Sequence, residues 1–304
     1  MSRKESGGGR AEMIPAAFDY ISPRTLDEAM HALAAHGEEA KLLAGGHSLL
    51  PLLKLRLANP KLLIDLGRIP GLSAISQQKN QIVVGALATH TQIESSELLK
   101  KRCPLLPETA REIGDVQVRN RGTIGGNLAH ADPSADWPAA ILALGGEMRV
   151  RGPRGERRLA AEEFFIGPLT TAIEPDEILT EIRVPAFMRR CGSAYLKMAQ
   201  QASGFAIVGV AVALRVDATG RCEEIGIGVT GLGDKPFRAR AVETRLRGNK
   251  LTPKLIAASA PQVAEGIDPL EDLHAAAPFR AHLARVYAAR AIRAAARRTG
   301  GKSG

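Results

Sequence analysis

An α+β fold is predicted for this 304-residue chain, built as two mixed subdomains and a C-terminal unit, and three observations predict it. The chain opens with a βαβ-like pattern. Its first half carries two glycine-rich segments, each flanked by apolar sequence. Its second half runs through three apolar, β-branched stretches at 194–200, 205–215 and 223–230 before any long helical pattern, an order typical of a strand meander followed by helices.

The elements follow in order. Ser22-Pro-Arg-Thr25-Leu-Asp-Glu28 starts a helix, because Thr25 and Glu28 have capping-box spacing and Gly37 is placed to end it. Strands at 41–44 and 61–66 flank the first glycine segment and complete a subdomain over 13–67. Strands at 72–76 and 81–85, helices at 89–96 and 105–114, the second glycine segment, a helix at 137–144 and strands at 147–151 and 178–183 form a second subdomain over 68–187. The basic link Met188-Arg-Arg-Cys-Gly192 leads into a domain over 190–298, a three-stranded antiparallel sheet with helices at 238–246, 252–264 and 279–298. Residues 1–12 read as a flexible tail without the apolar stretch of a signal peptide, and Met13 is an alternative start.

Composition narrows the function classes. Charged residues make up 24% and hydrophobic ones 45%, which excludes disordered and collagen-like chains. The longest apolar run, 205–214, is too short to cross a bilayer and suits a buried strand, so no membrane span is expected. Three cysteines, Cys103, Cys191 and Cys222, are too few and too scattered for a zinc site or an iron–sulfur cluster, and fit a reducing cytoplasm. The net charge of +9 raises nucleic acid as a partner. Against that, Arg280, Arg285, Arg290, Arg293, Arg297 and Arg298 lie in one terminal segment without stacking aromatics, opposite an apolar stripe of Leu283, Val286, Tyr287, Ala291 and Ala294. A solvated face or a docking face for an acidic partner explains them.

The two glycine segments carry the chemistry. In Arg121-Gly-Thr-Ile-Gly-Gly-Asn127 the glycines Gly122, Gly125 and Gly126 let the backbone approach a bound group, and Thr123 and Asn127 add side-chain hydrogen bonds. Ala44-Gly-Gly-His-Ser-Leu49 follows an apolar run and opens onto a helical pattern. Backbone amides of Gly45, Gly46, His47, Ser48, Gly125 and Gly126 suit one pyrophosphate held between two loops. Gly226-Ile-Gly-Val-Thr-Gly231 matches the dinucleotide fingerprint in letters, but it runs into Leu232-Gly-Asp-Lys-Pro236 and not a helix, so it reads as small residues in a packed strand. Asp132 is open between turn former ahead of Pro133 and ligand contact. His47 and His130 have no partnered nucleophile, so no catalytic residue and no metal ligand is assigned.

Ala44-Gly-Gly-His-Ser-Leu-Leu-Pro51, Thr123-Ile-Gly-Gly-Asn127, and Asp132-Pro133 with Asp136 resemble the FAD-binding medium subunit of molybdenum hydroxylases, the xanthine dehydrogenase family, and most nearly its carbon monoxide dehydrogenase type. The likeness runs from residues 13–20 to the terminal helix. It implies an FAD-binding PCMH-type (vanillyl-alcohol-oxidase-like) fold and FAD as cofactor. It implies partners too: a large molybdopterin subunit and a small subunit with two-iron two-sulfur clusters, as a dimer of heterotrimers, with quinone, NAD or another acceptor. The two glycine segments, Ala44 to Leu49 and Thr123 to Asn127, then hold the FAD diphosphate, and Asp136 binds the adenosine part. Leu179 packs on the flavin, Ile113 matches less securely, and Lys197 reaches the isoalloxazine, with an exposed strand lysine as the alternative. The family often has Arg at Gln201 and Asp at Gly204, which puts flavin tuning in doubt. A cytoplasmic location, or a peripheral one on the inner membrane face, goes with this reading. The rivals are a non-enzymatic flavin-binding accessory protein and a self-sufficient flavin oxidase.

Overall fold

The computed structural model describes residues 13–300, so the expected tail at 1–12 lies outside the described residues. The first unit contains β1 (Asp19–Ile21), α1 (Leu26–His36), β2 (Ala40–Leu43), α2 (Leu49–Lys54) and β3 (Leu62–Asp65), with the strands parallel in the order β1-β3-β2. Thr25 caps α1 by accepting from the Glu28 amide at 3.1 Å. The reciprocal half differs from a capping box, because Glu28 accepts from the amide of Arg24 at 2.8 Å. Gly37, at φ +51°, ends the helix, a conformation costly for residues with a Cβ. Ala29, Leu33, Leu62, Ile64 and Leu66 form a small core between helix and sheet.

The second unit runs through β4 (Ile75–Gln78), β5 (Gln81–Gly85), α3 (His90–Ser95), α4 (Glu97–Arg102), α5 (Leu105–Arg111), α6 (Val116–Arg121), α7 (Ile124–His130) and α8 (Asp136–Ala143). It continues with β6 (Glu147–Gly152), β7 (Gly155–Ala160), α9 (Ala161–Phe164), β8 (Phe165–Gly167), β9 (Thr170–Thr171) and β10 (Ile178–Pro185). The main sheet is antiparallel, ordered β4-β5-β10-β6-β7. The strand expected at 72–76 starts only at Ile75, because Leu72 to Ala74 belong to a turn closed by the Ala74 amide on the Gly71 carbonyl. The second glycine segment is not the expected loop. Gly125 and Gly126 occupy the first turn of α7, capped by Thr123.

The third unit holds β11 (Cys191–Ala199), β12 (Ala206–Val216), β13 (Cys222–Thr230), β14 (Phe237–Arg238), α10 (Arg240–Leu246), α11 (Pro253–Ser259) and α12 (Ala277–Arg297). The antiparallel meander β11-β12-β13 gains a two-residue edge strand, β14. The helix expected over 252–264 stops at Ser259 and continues as a 3-10 turn, Ala260–Ala264, because Pro261 has no amide hydrogen to continue the α ladder.

The sheet is covered on both faces, and strand alternation decides which residue meets which helix. Val208, Val210, Val212 and Leu214 of β12 face the core containing Ala288, Ala291, Ile292 and Ala295 of α12. Ala211 faces the other core, with Trp137 and Ala140 of α8. Gly226 and Gly228 are on the α8 side, where a Cβ would sit 2.0 Å from the carbonyl oxygens of Ala143 and Ala139 respectively. The fingerprint-like glycines therefore let a helix backbone lie on the strand. In α12, Arg285, Arg290, Arg293 and Arg297 are exposed as expected, as is Arg298 just beyond its end, whereas Arg280 is only 2% exposed. Its guanidinium donates to the carbonyls of Ile207 and Gly231 and to Asp272, tying α12 to the meander.

Candidate functional site

A cleft of about 610 Å³ opens where the first and second units meet, with β11–β12 turn residues at one end. Ala44, Gly45, Gly46, His47, Ser48 and Leu49 line it from one side, and Thr123, Gly125, Gly126 and Asn127 from the other. Leu179 and Ile113 supply apolar wall, and Asp136, His90 and Phe205 also face in.

The two segments touch. A Cβ on Gly45 would lie 2.2 Å from the carbonyl oxygen of Arg121, so only glycine allows the first segment to pack on the second. Gly46 then turns at φ +78°. Among the described residues, the amides of Gly45, Gly46, His47 and Ser48 have no protein acceptor, and they form a run of donors at the cleft. The His47 ring contacts the Gly45 carbonyl at 3.3 Å, which makes it a local backbone partner.

The second segment works differently from expectation. The Gly125 amide donates to the Ala86 carbonyl at 2.8 Å, and the Gly126 amide to Thr123 Oγ1 at 3.2 Å, so both expected diphosphate donors are already engaged. These glycines provide space. A Cβ on Gly125 would be 2.5 Å from Ala86; one on Gly126 would be 2.8 Å from Thr123 Oγ1 and 3.5 Å from the Ala44 Cβ, in the gap between the segments. Asn127 Oδ1 is buried without a hydrogen-bond partner among the described residues, an open polar position at the cleft. Asp132 accepts from the Ser134 amide at 2.8 Å and does not line the cleft, which makes it the turn former. His130 lines the cleft without a side-chain partner among the described residues.

Asp136 begins the wholly buried α8. Its Oδ1 accepts from the Tyr195 hydroxyl at 2.5 Å and from Lys197 Nζ at 2.9 Å. Burial pushes the carboxyl up to about 6, while Lys197 and Tyr195 oppose that rise. Burial and the neighbouring Asp136 charge raise the Tyr195 phenol well above its usual value. Lys197 is neither an exposed strand lysine nor a cleft-lining residue. Its side chain is 2% exposed, and the ammonium also donates to the carbonyls of Glu112 at 2.7 Å and Gly204 at 2.5 Å.

His90 has no motif to announce it. It is 2% exposed, and its Nδ1 accepts from Trp137 Nε1 at 3.1 Å. Indole is a donor only, so Nδ1 is unprotonated and Nε2 carries the hydrogen. Burial lowers its pKa to about 4, helped by His47 and Arg119. Phe205, 43% exposed, is the other lining residue missed by the sequence reading, since an aromatic beside an apolar strand has no distinguishing signal.

Residues 16–187 match the family model for the FAD binding domain in molybdopterin dehydrogenase. The chain belongs to this family. Residues 193–295 match the CO dehydrogenase flavoprotein C-terminal domain. The chain is 40% identical to the carbon monoxide dehydrogenase medium chain of Hydrogenophaga pseudoflava, over 93% of this chain and 98% of that one. It is 35% identical to the 6-hydroxypseudooxynicotine dehydrogenase complex subunit alpha of Paenarthrobacter nicotinovorans, over 92% and 95%. The solved carbon monoxide dehydrogenase of Hydrogenophaga pseudoflava that lacks the Mo-pyranopterin moiety superposes with a TM-score of 0.90 at 40% identity, over 93% and 98% of the two chains. This chain is thus an FAD-binding component of an oxidoreductase. The cleft fits FAD: its unclaimed amides could donate to a diphosphate, the unpartnered Asn127 oxygen could accept from a ligand donor, and apolar walls suit ring systems. Among the described residues, no cluster of His, Cys, Asp and Glu is placed to hold a metal, and no helix is long and apolar enough to cross a membrane.

Proposed function

We propose that this chain is the FAD-carrying medium subunit of a molybdenum hydroxylase, receiving electrons from two-iron two-sulfur clusters on a small subunit and passing them to an acceptor. The observation that carries this reading is the junction of the two glycine segments, where four unclaimed amides and a buried, unpartnered Asn127 oxygen face one cleft. Bound FAD supplies the exchange between one-electron and two-electron carriers. The chain's own residues bind and orient it. Amides from Gly45 to Ser48 donate to the diphosphate, Gly126 leaves room for it, and Asn127 accepts from a ligand hydroxyl or imide. Leu179 and Ile113 exclude water from the ring. Both side-chain contacts of Asp136 fall on Oδ1, which leaves Oδ2 to accept from a ribose hydroxyl. No acid–base pair is required of this subunit.

The proposed domains are 13–187, divided at 67, and 190–298. The proposed assembly is a cytoplasmic dimer of heterotrimers using quinone, NAD or another acceptor. The complexes named for the relatives act on carbon monoxide and on an N-heterocyclic compound, so the substrate belongs to the large subunit. The test is co-expression with the large and small subunits, followed by anaerobic addition of carbon monoxide, aldehydes, purines and N-heterocycles. Flavin in the complex should bleach with one of these, and flavin on the chain alone should not. Substrate oxidation by the single chain, free of molybdenum and iron, would overturn the subunit reading in favour of a self-sufficient oxidase.

A further inference from the structure

We propose that His90 is a binding residue of the cleft, whose Nε2–H donates to a diphosphate oxygen of the bound cofactor beside the amides of the first glycine segment. The proposal rests on the FAD reading above and adds to it a side-chain donor that no sequence motif marks. His90 lines the cleft, yet it is only 2% exposed, and its protein contact uses one ring nitrogen. Trp137 Nε1, on a wholly buried side chain, donates to Nδ1 at 3.1 Å. That bond fixes the tautomer and leaves the hydrogen on Nε2. Among the described residues Nε2 has no acceptor. A donor this deep is ordinarily paired, and the open space beside it is the cleft. The other cleft histidines differ. His47 is exposed with its ring on the Gly45 carbonyl, and His130 has no partner to fix its tautomer among the described residues.

The backbone brings this N–H to the junction of the two glycine segments. The His90 amide donates to the Gly122 carbonyl, and the Ile124 amide to the Ala88 carbonyl, each at 3.0 Å, so the start of α3 is stitched to the second segment. A Cβ on Gly122 would lie 2.7 Å from His90 Nε2, and a Cβ on Gly45 would lie 2.9 Å from Gly122 Cα. Gly122 therefore touches both the His90 ring and Gly45, where the run of unclaimed amides from Gly45 to Ser48 begins. Any side chain at 122 would crowd Nε2. The donor is neutral as well as fixed. Burial, with His47 and Arg119 adding to it, lowers the imidazole to about 4, so near neutrality Nδ1 stays bare and the Trp137 bond stays intact. Such a group favours a phosphate oxygen without placing a cation in a buried position, where its desolvation would have to be offset.

The experiment uses the full-length chain stripped of flavin and carrying isotope-labelled histidine, with NMR of the imidazole nitrogens as FAD, ADP or riboflavin is added. The His90 signals are identified by their absence from His90→Gln. In the free chain Nδ1 should resonate as a bare nitrogen and Nε2 as N–H. FAD and ADP should both move the Nε2 hydrogen downfield and leave Nδ1 bare, and riboflavin, which has no phosphate, should not move it. In fluorescence titrations His90→Phe should weaken FAD binding about tenfold, the loss expected for one hydrogen bond to a charged acceptor. His90→Gln should recover most of that, because its amide can accept from Trp137 and donate to phosphate at once. A wild-type Nε2 signal unmoved by saturating FAD would overturn the proposal while leaving the FAD reading in place, and it needs no variant to fold. Full FAD affinity in a folded His90→Phe would overturn it too. So would an equal movement with riboflavin, which would put the N–H against the flavin ring. If the wild-type chain takes no FAD at all, the FAD reading fails and the proposal falls with it.

Discussion

Single residues decide whether the cleft is open and how the fold answers to acid. The Gly126 Cβ position lies between Ala44 and the Thr123 cap, so Gly126→Val should fill the gap meant for the cofactor. Displacing the cap should cost about 1 kcal/mol, leaving a folded but colourless protein. Yellow protein with wild-type flavin content would show that Gly126 does not border the cofactor. His90 provides the second test. It takes its proton at 6.5 in the unfolded chain but only near 4 in the fold, so protonation favours unfolding. Its contribution is complete above pH 6.5 and is lost as pH falls from there toward 4, on the order of 3 kcal/mol in total. Asp136 slopes the other way, since its raised pKa costs stability as pH rises through its titration. That slope is common to wild type and His90→Phe. The difference between their melting temperatures across pH 4 to 7 should therefore shrink toward acid, and a constant difference would mean that His90 is not held neutral by burial.

At the scale of elements, what was legible in the sequence was what local chemistry specifies. The Thr25 cap and Gly37 stop bound α1 because both act within one turn, and the meander showed itself through apolar, β-branched runs. Three features were hidden. Strand β7 is Gly-Glu-Arg-Arg-Leu-Ala at the sheet edge with only Leu159 buried, so it lacks an apolar signature. Helix α7 has two glycines in its first turn, poor helix formers that any propensity reading makes a loop, and it is held by Thr123 and by contact with Ala86. Lys197 was recognisable by position along the chain, but its depth was not, because a sequence does not say that Asp136, Glu112 and Gly204 converge on one ammonium. The fingerprint at 226–231 lies along the end of β13 with Gly226 and Gly228 against the α8 backbone, and its structural role can be tested. Gly228→Ala drives a methyl into the Ala139 carbonyl and should destabilise the protein by about 3 kcal/mol in thermal or denaturant unfolding. Flavin content per folded molecule should not change. Lost flavin with unchanged stability would mean that the motif binds nucleotide after all.

Across the whole molecule, the cleft sits between the first and second units, and among the described residues the third unit lines it through Ser203, Gly204 and Phe205, in a turn whose Gly204 carbonyl accepts from Lys197. On the far face of the third sheet, α12 buries Ala284, Ala288, Ala291 and Ala295 and presents Arg285, Arg293 and Arg297 outward. Arg290 stacks over Tyr287, with its guanidinium carbon 5.5 Å from the ring centre. If this face docks an acidic partner subunit, Arg285→Glu with Arg293→Glu and Arg297→Glu should leave melting temperature and flavin content unchanged while weakening co-purification of the complex, most at low salt. Undiminished assembly would return the arginines to a solvated face.

The central claim is that one cleft on this chain holds one FAD. The most direct measurement is the flavin content of the purified full-length chain, released by acid and quantified by fluorescence before and after phosphodiesterase treatment. The account expects one flavin per chain, with fluorescence that rises on cleavage because the released cofactor is FAD. FMN, or no flavin in a folded protein supplied with excess FAD, would contradict it.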